Sequence, residues 1–249
     1  MFKSRPLALF LSTTLALFIA APAAQALTVN LNIFNAGNTN VIPAASLVGT
    51  AGGLGQTWNQ RSTSTSVTTL LDAAGLPTSV GYTTTNLGGP DTWGNPVLGI
   101  LRDGLRNFNT AVGNSQQLVI NGLTPGEVFD VWLVSANLTP SNQRNNGQWS
   151  TTNVTTTVGP QTADNTLNQN GTTFVQGNNF VFFDNVVANA SGQMVFNGFS
   201  INQAPTFDNR LPLNGFQFRT NVVIIPEPAT AALGLFSVAG LMLRRRRMA

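Results

Sequence analysis

The chain has 249 residues, with 12 basic and 9 acidic side chains, no histidine and no cysteine. Without these two residue types, disulfide frameworks, thiol nucleophiles, histidine-based triads and the usual zinc sites are excluded. The positive net charge belongs to the two ends, because the stretch 27–225 has six arginines against eight acids. A basic face for binding nucleic acid is therefore not expected, and neither is a nucleic-acid partner.

The first 26 residues have the pattern of a secretory signal peptide. Lys3 and Arg5 form a positive start, an apolar run follows, and Ala24 and Ala26 occupy the small-x-small positions that signal peptidase recognises. We therefore predict a signal helix, processing by signal peptidase after Ala26, and export of the rest of the chain across the inner membrane.

The last 24 residues, 226–249, have three parts in a fixed order. The prolines of the first part end any strand that arrives from the body. The second part, 229–243, is apolar and uncharged, so we expect a transmembrane helix in the inner membrane, although about 1.5 Å per residue leaves it short of a roughly 30 Å hydrocarbon core. The basic third part is expected to stay on the cytoplasmic side. The first and third parts consist of Pro226, Glu227, Pro228, Arg244, Arg245, Arg246 and Arg247.

This tail resembles the PEP-CTERM sorting signal of Gram-negative bacteria, which has a Pro-Glu-Pro triplet, a hydrophobic helix and a terminal basic cluster. The resemblance implies recognition by exosortase, a membrane-embedded transpeptidase-like enzyme. It also implies cleavage near the triplet and delivery to the cell surface or extracellular matrix. The tail residues would then be acted upon rather than act. An ordinary C-terminal membrane anchor is the alternative.

The remaining stretch, 27–225, is predicted to be a single β-sandwich domain. It is long enough for a substantial core, and its Asn, Thr, Ser and Val content favours strands over helices. The predicted strands are Leu27–Phe34, Val67–Leu71, Ser79–Thr85, Gln117–Leu123, Glu127–Ala136, Gln148–Val158, Thr172–Val175, Asn179–Val187, Gln193–Ile201 and Asn214–Ile225. The piece between Gly159 and Gly171 is predicted to be a loop or a short edge hairpin.

Three local patterns give more detailed predictions. Leu27–Phe34 alternates between apolar and polar residues, which indicates a half-buried strand with Asn30 and Asn32 on its polar face. The turn sequences at Thr124–Gly126 and Ala188–Gly192 each predict a hairpin between the strands that flank them.

A fourth pattern predicts one short helix at Val97–Phe108, where leucines recur at helical spacing. The complete expectation is an all-β antiparallel sandwich or jelly roll with one short helix. The body also resembles galactose-binding-like jelly rolls that carry this kind of tail. The segments that carry this resemblance are Gly122–Gly126, Asn189–Gly192 and Leu213–Phe218.

Tyr82 and the four tryptophans are the aromatic candidates for stacking on sugar rings. Trp58, Trp93 and Trp149 lie in polar or glycine-rich segments, where loop residues often serve binding. These three are the candidate carbohydrate-binding residues, with a structural role at an end of the sandwich as the alternative. Trp132 lies within an apolar strand and is predicted to belong to the core.

The acidic residues are dispersed, so no pair or cluster points to a reaction or a metal site. We expect no catalytic residue, no metal and no cofactor, and we expect that the protein is not an enzyme. The favoured function is an exported surface or matrix protein with a structural or interaction role in exopolysaccharide or biofilm. The alternatives are a carbohydrate-binding module that uses loop tryptophans, and a glycan-active enzyme with a carboxylate pair.

Overall fold

The computed structural model describes residues 26–34, 56–62, 65–92, 103–106, 115–136, 146–153, 160–164, 174–200 and 211–221. These ranges contain thirteen β-strands and no helix, which confirms the all-β prediction. Within them, no helix has the length and hydropathy needed to cross a membrane. The predicted signal and transmembrane helices lie outside the described residues, together with Ala24, the Pro-Glu-Pro triplet and the four C-terminal arginines.

The strands form two large sheets and one short ribbon. The five-stranded sheet has the order β11-β8-β13-β1-β2, the six-stranded sheet has the order β10-β9-β12-β7-β4-β3, and β5 pairs with β6. All pairs are antiparallel except β1 with β2. The strands are β1 (Thr28–Phe34), β2 (Asn59–Ser62), β3 (Ser66–Val67), β4 (Gly81–Thr85), β5 (Gly89–Thr92), β6 (Asp103–Arg106), β7 (Ser115–Asn121), β8 (Val128–Val134), β9 (Asn146–Thr151), β10 (Gln161–Asp164), β11 (Phe180–Val187), β12 (Met194–Ser200) and β13 (Gly215–Thr220).

One hydrophobic core lies between the two large sheets, as expected for a β-sandwich. Alternate residues of each strand point into it, because side chains in a strand alternate between the two faces. Aromatic pairs join the layers: Tyr82 of β4 meets Phe216 of β13 edge-on with ring centroids 5.8 Å apart, and Phe183 of β11 lies 5.4 Å from Phe196 of β12. The sandwich architecture predicted from the sequence is therefore confirmed.

The two predicted hairpins are wrong, because in each case the flanking strands belong to different sheets. β7 and β12 lie in the six-stranded sheet, whereas β8 and β11 lie in the five-stranded sheet. Each turn is thus an arch that crosses from one layer to the other. The two arches bond to each other, with Leu123 N donating to Gly192 O at 3.1 Å and Gly126 N donating to Ala188 O at 2.8 Å.

Gly122 shows why a glycine is needed at the first arch. Its φ of +77° lies in the left-handed region, and a Cβ there would come within 1.9 Å of the carbonyl oxygen of Ser79. At this point the backbone of the arch lies so close to Ser79, just before β4, that a residue with a side chain would not fit.

The predicted helix at Val97–Phe108 is also wrong in its described part, since Asp103–Arg106 is strand β6 and pairs with β5. Leu105 is fully buried, and its N–H and C=O bond to Leu213, just before β13. Gly104, which disfavours a helix interior, lies in the middle of this strand. Pairing of β6 with β5, together with burial of Leu105 in the core, therefore overrides the helical spacing of the leucines.

Strand β1 is buried on both faces, and not half-buried as predicted. Val29, Leu31 and Ile33 point into the main core, while Asn30 and Asn32 on the opposite face are 0% and 2% exposed. The amide of Asn30 is satisfied by the chain before β2: its Nδ2 donates to Gln56 Oε1 at 3.1 Å and to Thr57 O at 3.0 Å. The polar side of this strand is thus buried, with the Asn30 amide hydrogen-bonded and Asn32 Oδ1 without a partner among the described residues.

Candidate functional site

Trp149, one of the three predicted sugar-binding tryptophans, is a core residue. It lies on β9, is 0% exposed, and belongs to the cluster between the sheets. Its indole Nε1 is buried and makes no hydrogen bond to any described residue. Trp149 therefore presents no accessible surface to a sugar in this structure, because strand β9 turns its side chain inward.

Trp58, the second predicted tryptophan, is not fully exposed. Trp58 directly precedes β2 and is half-buried, with its Nε1 buried and unpartnered among the described residues. Trp93 lies outside the described residues.

A different aromatic group lies on the outer face of the five-stranded sheet. Trp132 of β8 lies opposite Phe182 of β11, with ring centroids 4.8 Å apart and planes tilted by 35°. Phe180 and Phe174 extend this group, and their rings meet edge-on at 6.2 Å. Trp132 is buried as predicted, but in this second cluster rather than in the main core.

An arginine covers the aromatic group from the solvent side. The guanidinium carbon of Arg219 lies 5.4 Å from the centre of the Trp132 ring, within the range of a cation–π contact. Arg219 Nε and Nη2 both donate to Asp130 Oδ2, at 3.2 and 3.1 Å. The Arg219 side chain is 54% exposed while that of Asp130 is 10% exposed. This ion pair positions the guanidinium more than it stabilises the fold, since exposed pairs contribute under about 1 kcal/mol.

We name Trp132, Phe182, Arg219 and Asp130 the outer-face patch. The strand register places the patch next to the buried side-chain amides of Gln217 and Asn30. Trp132 lies opposite Gln217, and Gln217 lies opposite Asn30. Gln217 Nε2 donates to Asn30 Oδ1 at 2.8 Å. Aromatic, charged and amide groups therefore follow one another across four adjacent strands of one sheet face.

The chemistry of the outer-face patch suits binding rather than catalysis. Aromatic rings offer flat apolar surface, and the guanidinium and carboxylate supply donors and acceptors for hydroxyl groups. A single carboxylate already paired with an arginine lacks a second acid for proton transfer. No group of three or more acidic, histidine or cysteine side chains able to hold a metal occurs in the described ranges.

Three more acids, Asp72, Glu127 and Asp184, also have local partners. Asp72 Oδ1 accepts hydrogen bonds from Ala74 N at 2.9 Å and from Leu76 N at 2.8 Å, which holds a turn together. Glu127 Oε1 accepts from Thr220 Oγ1 at 3.1 Å. Asp184 is exposed at a bulge in β11, beside Asn185.

The sequence contained a signal for the outer-face patch that the predictions did not use. In β8, Asp130 and Trp132 are two residues apart and so lie on the same face of the strand. This face is opposite to the one that Phe129, Val131 and Leu133 turn toward the main core. A mid-strand aromatic beside an acid of the same parity indicates a second, partly polar face.

No protein-family model matches the chain, and no curated protein matches it. The ANXUR1 extracellular domain from Arabidopsis thaliana aligns at 12% identity and a TM-score of 0.46, over 78% of this chain and 48% of that one. The ANXUR2 extracellular domain from the same plant aligns at 10% identity and a TM-score of 0.47, over 79% and 49%. No family is assigned.

A protein from Bacillus subtilis aligns at 10% identity and a TM-score of 0.37, over 78% of this chain and 40% of that one. The chain thus spans half or less of the length of these three structures. At this level of similarity they contribute nothing to the assignment of a function.

Proposed function

We propose that this chain is an exported protein that signal peptidase cleaves after Ala26 and that exosortase sorts through its C-terminal tail. Its body, a jelly roll of the galactose-binding-like kind, then has a structural or interaction role in an exopolysaccharide matrix at the cell surface. The observation that carries the proposal is the tail itself. Triplet, apolar run and arginine cluster occur in the order and position that such a sorting signal requires.

The connection of the body to its two ends is compatible with this proposal. Thr28 at the start of β1 lies opposite Arg219 near the end of β13, and Asn221 follows directly. The chain therefore enters and leaves the described body at the same end of one sheet. A signal peptide and a C-terminal anchor joined there can lie in the same membrane while the sandwich is folded.

Replacing Pro226, Glu227 and Pro228 together by alanine is expected to block sorting. The variant should accumulate in the membrane fraction with its tail attached, because the apolar run is intact but the processing sequence is lost. Fractionation followed by intact mass measures this. Pro160→Ala is the matched control, since this proline is exposed at the start of β10 and should leave sorting unchanged. Normal release of the triplet variant would refute exosortase processing.

A second candidate function is carbohydrate binding at the outer-face patch. The observation that favours it is an exposed guanidinium held over the buried Trp132 ring, beside the half-buried Phe182, with Asp130 as a fixed acceptor. This arrangement offers the partly exposed Phe182 ring for stacking and the Arg219 guanidinium for hydroxyl hydrogen bonds to the same sugar unit.

Phe182→Ala is expected to weaken glycan binding roughly tenfold, because one stacking contact is worth about 1.5 kcal/mol. A glycan array probed with the processed protein identifies the ligand, and calorimetry then compares the variants. Val175→Ala is the control, since this side chain is 41% exposed and outside the patch. Binding that survives Phe182→Ala and Arg219→Gln would exclude the patch.

A further inference from the structure

The start of β1 is bonded to the end of β13 through both backbone groups of Leu27. Leu27 N donates to Thr220 Oγ1 at 3.2 Å, and Leu27 O accepts from Thr220 N at 2.7 Å. The Leu27 side chain also packs against the main core. The nitrogen of this residue is thus held at a defined place on the folded body.

A carboxylate lies one hydroxyl group away from that nitrogen. Thr220 Oγ1 donates to Glu127 Oε1 at 3.1 Å. A hydroxyl has one proton to give and two lone pairs to receive with. Thr220 Oγ1 also lies 3.4 Å from Leu27 O, but Glu127 Oε1 is nearer and charged, so the proton goes to Glu127 while a lone pair accepts from Leu27 N. This relay orients the Thr220 oxygen as an acceptor toward Leu27.

Leu27 also borders a cavity at the surface of the body. Ala26 is exposed, and a cavity of about 160 Å³ is lined by Ala26, Leu27, Thr28 and the turn Asp72–Ala74. The backbone of this turn is tied to β1, since Ala73 N donates to Thr28 O at 2.8 Å. The site therefore has room for hydrating water. Asp72 is one of its lining residues, and its Oδ1 accepts hydrogen bonds from the N–H groups of its own turn.

We propose that Leu27, Thr220, Glu127 and Asp72 form a binding site for the chain's own mature α-amino group. This inference rests on the proposed cleavage after Ala26. Hydrolysis of the Ala26–Leu27 bond adds one water, leaving a carboxylate on Ala26 and an ammonium group on Leu27. One N–H of the ammonium keeps the hydrogen bond to Thr220, and Glu127 supplies the opposing charge. Water in the cavity accepts hydrogen bonds from the other N–H groups. We call this arrangement the amino-terminal site.

The charges around the site favour the ammonium form. Glu127 at the start of β8 and Asp72 in the turn are negative, and the guanidinium of Arg219 on β13 is paired with Asp130. Opposite charges nearby raise the pKa of an amine above its ordinary value of about 7.7 to 8.0. The stabilisation is then fully present below that value and is lost as the pH rises through the raised pKa.

The composition of the chain makes this prediction directly measurable. Lys3 is the sole lysine, so a chain processed after Ala26 has no primary amine except that of Leu27. Competitive acetylation of the processed protein with acetic anhydride, across neutral and alkaline pH, therefore reports one pKa. We expect it to be raised by roughly half a unit to one unit, and Glu127→Gln to return most of that shift.

The control is Asp184→Asn, which removes an exposed carboxylate three strands away from β1 in the same sheet. At about 4.8 Å per strand this distance exceeds the screening length of roughly 10 Å, so the pKa should not change. An ordinary pKa in a chain that begins at Leu27, or a raised pKa unaffected by Glu127→Gln, would overturn the amino-terminal site alone. A mature chain that begins at any other residue would overturn both this site and the proposed cleavage.

Discussion

Trp149→Ala is expected to lower the free energy of unfolding by about 3 to 5 kcal/mol, the range for removing a large buried aromatic side chain. Trp149 is 0% exposed and lies between the sheets, so its removal leaves a cavity that the paired strands on either side of β9 cannot close. Urea unfolding followed by far-ultraviolet circular dichroism measures the loss.

Two further variants make this test specific. Trp149→Phe should cost less than Trp149→Ala, because a ring still fills the space and the unpartnered indole Nε1 is removed. Leu76→Ala, at a side chain that is 57% exposed, should change stability by under about 0.5 kcal/mol. A Trp149→Ala protein with normal stability but lost glycan binding would restore the sugar-contact interpretation of this residue.

The second large effect is a loss of stability at alkaline pH that comes from Tyr82. Burial raises the pKa of Tyr82 from 10.0 to about 12, and the nearby Arg61 guanidinium lowers it by a smaller amount. Between these two pH values the unfolded chain has lost the phenol proton while the folded protein keeps it. Stability therefore falls as the pH rises through this interval, by about 2 to 3 kcal/mol in all.

This prediction has a direct spectroscopic test, because Tyr82 is the sole tyrosine of the chain. The tyrosinate absorption band should appear in the folded protein only near pH 12. In Tyr82→Phe, the decline of the unfolding free energy between about pH 10 and pH 12 should be absent. Tyrosinate absorption at the ordinary pKa in a protein that is still folded would show that the Tyr82 hydroxyl is hydrated.

The positions of most long strands could be predicted from the sequence, but their assignment to sheets could not. Alternation in Ser115–Asn121 and Val128–Val134 gives two strands with a turn between them. The same alternation fits a hairpin within one sheet and an arch between two sheets. Only the partners decide, and here β7 pairs with β12 and β4 while β8 pairs with β11 and β13.

Short strands were the elements that the sequence predicted least well. Asn59–Ser62 and Gly89–Thr92 are too short and polar to be predicted as strands. They form strands because their backbones pair with β1 and β6, respectively. The piece predicted to be a loop or a short edge hairpin contains one described strand, Gln161–Asp164, which pairs with β9 at the edge of its sheet. Tertiary pairing outweighs local propensity in such elements.

The candidate sites show the same limit. The polar composition around Trp149 suggested exposure. A strand was predicted there, but the sequence did not show that this strand turns the Trp149 side chain into the core. The outer-face patch depends on Phe182 and Arg219, which are 37 residues apart in the sequence and meet only through the register of β11, β8 and β13. The amino-terminal site likewise joins Leu27 to Thr220, from opposite ends of the body.

The intact mass and the cellular location of the native protein test the central claim most directly, namely that two processed ends bracket an exported β-sandwich. The account predicts a form in the cell envelope or matrix that begins at Leu27 and has lost the residues beyond the Pro226–Pro228 triplet. Recovery of the full 249-residue chain from the cytosol, with both ends intact, would contradict it.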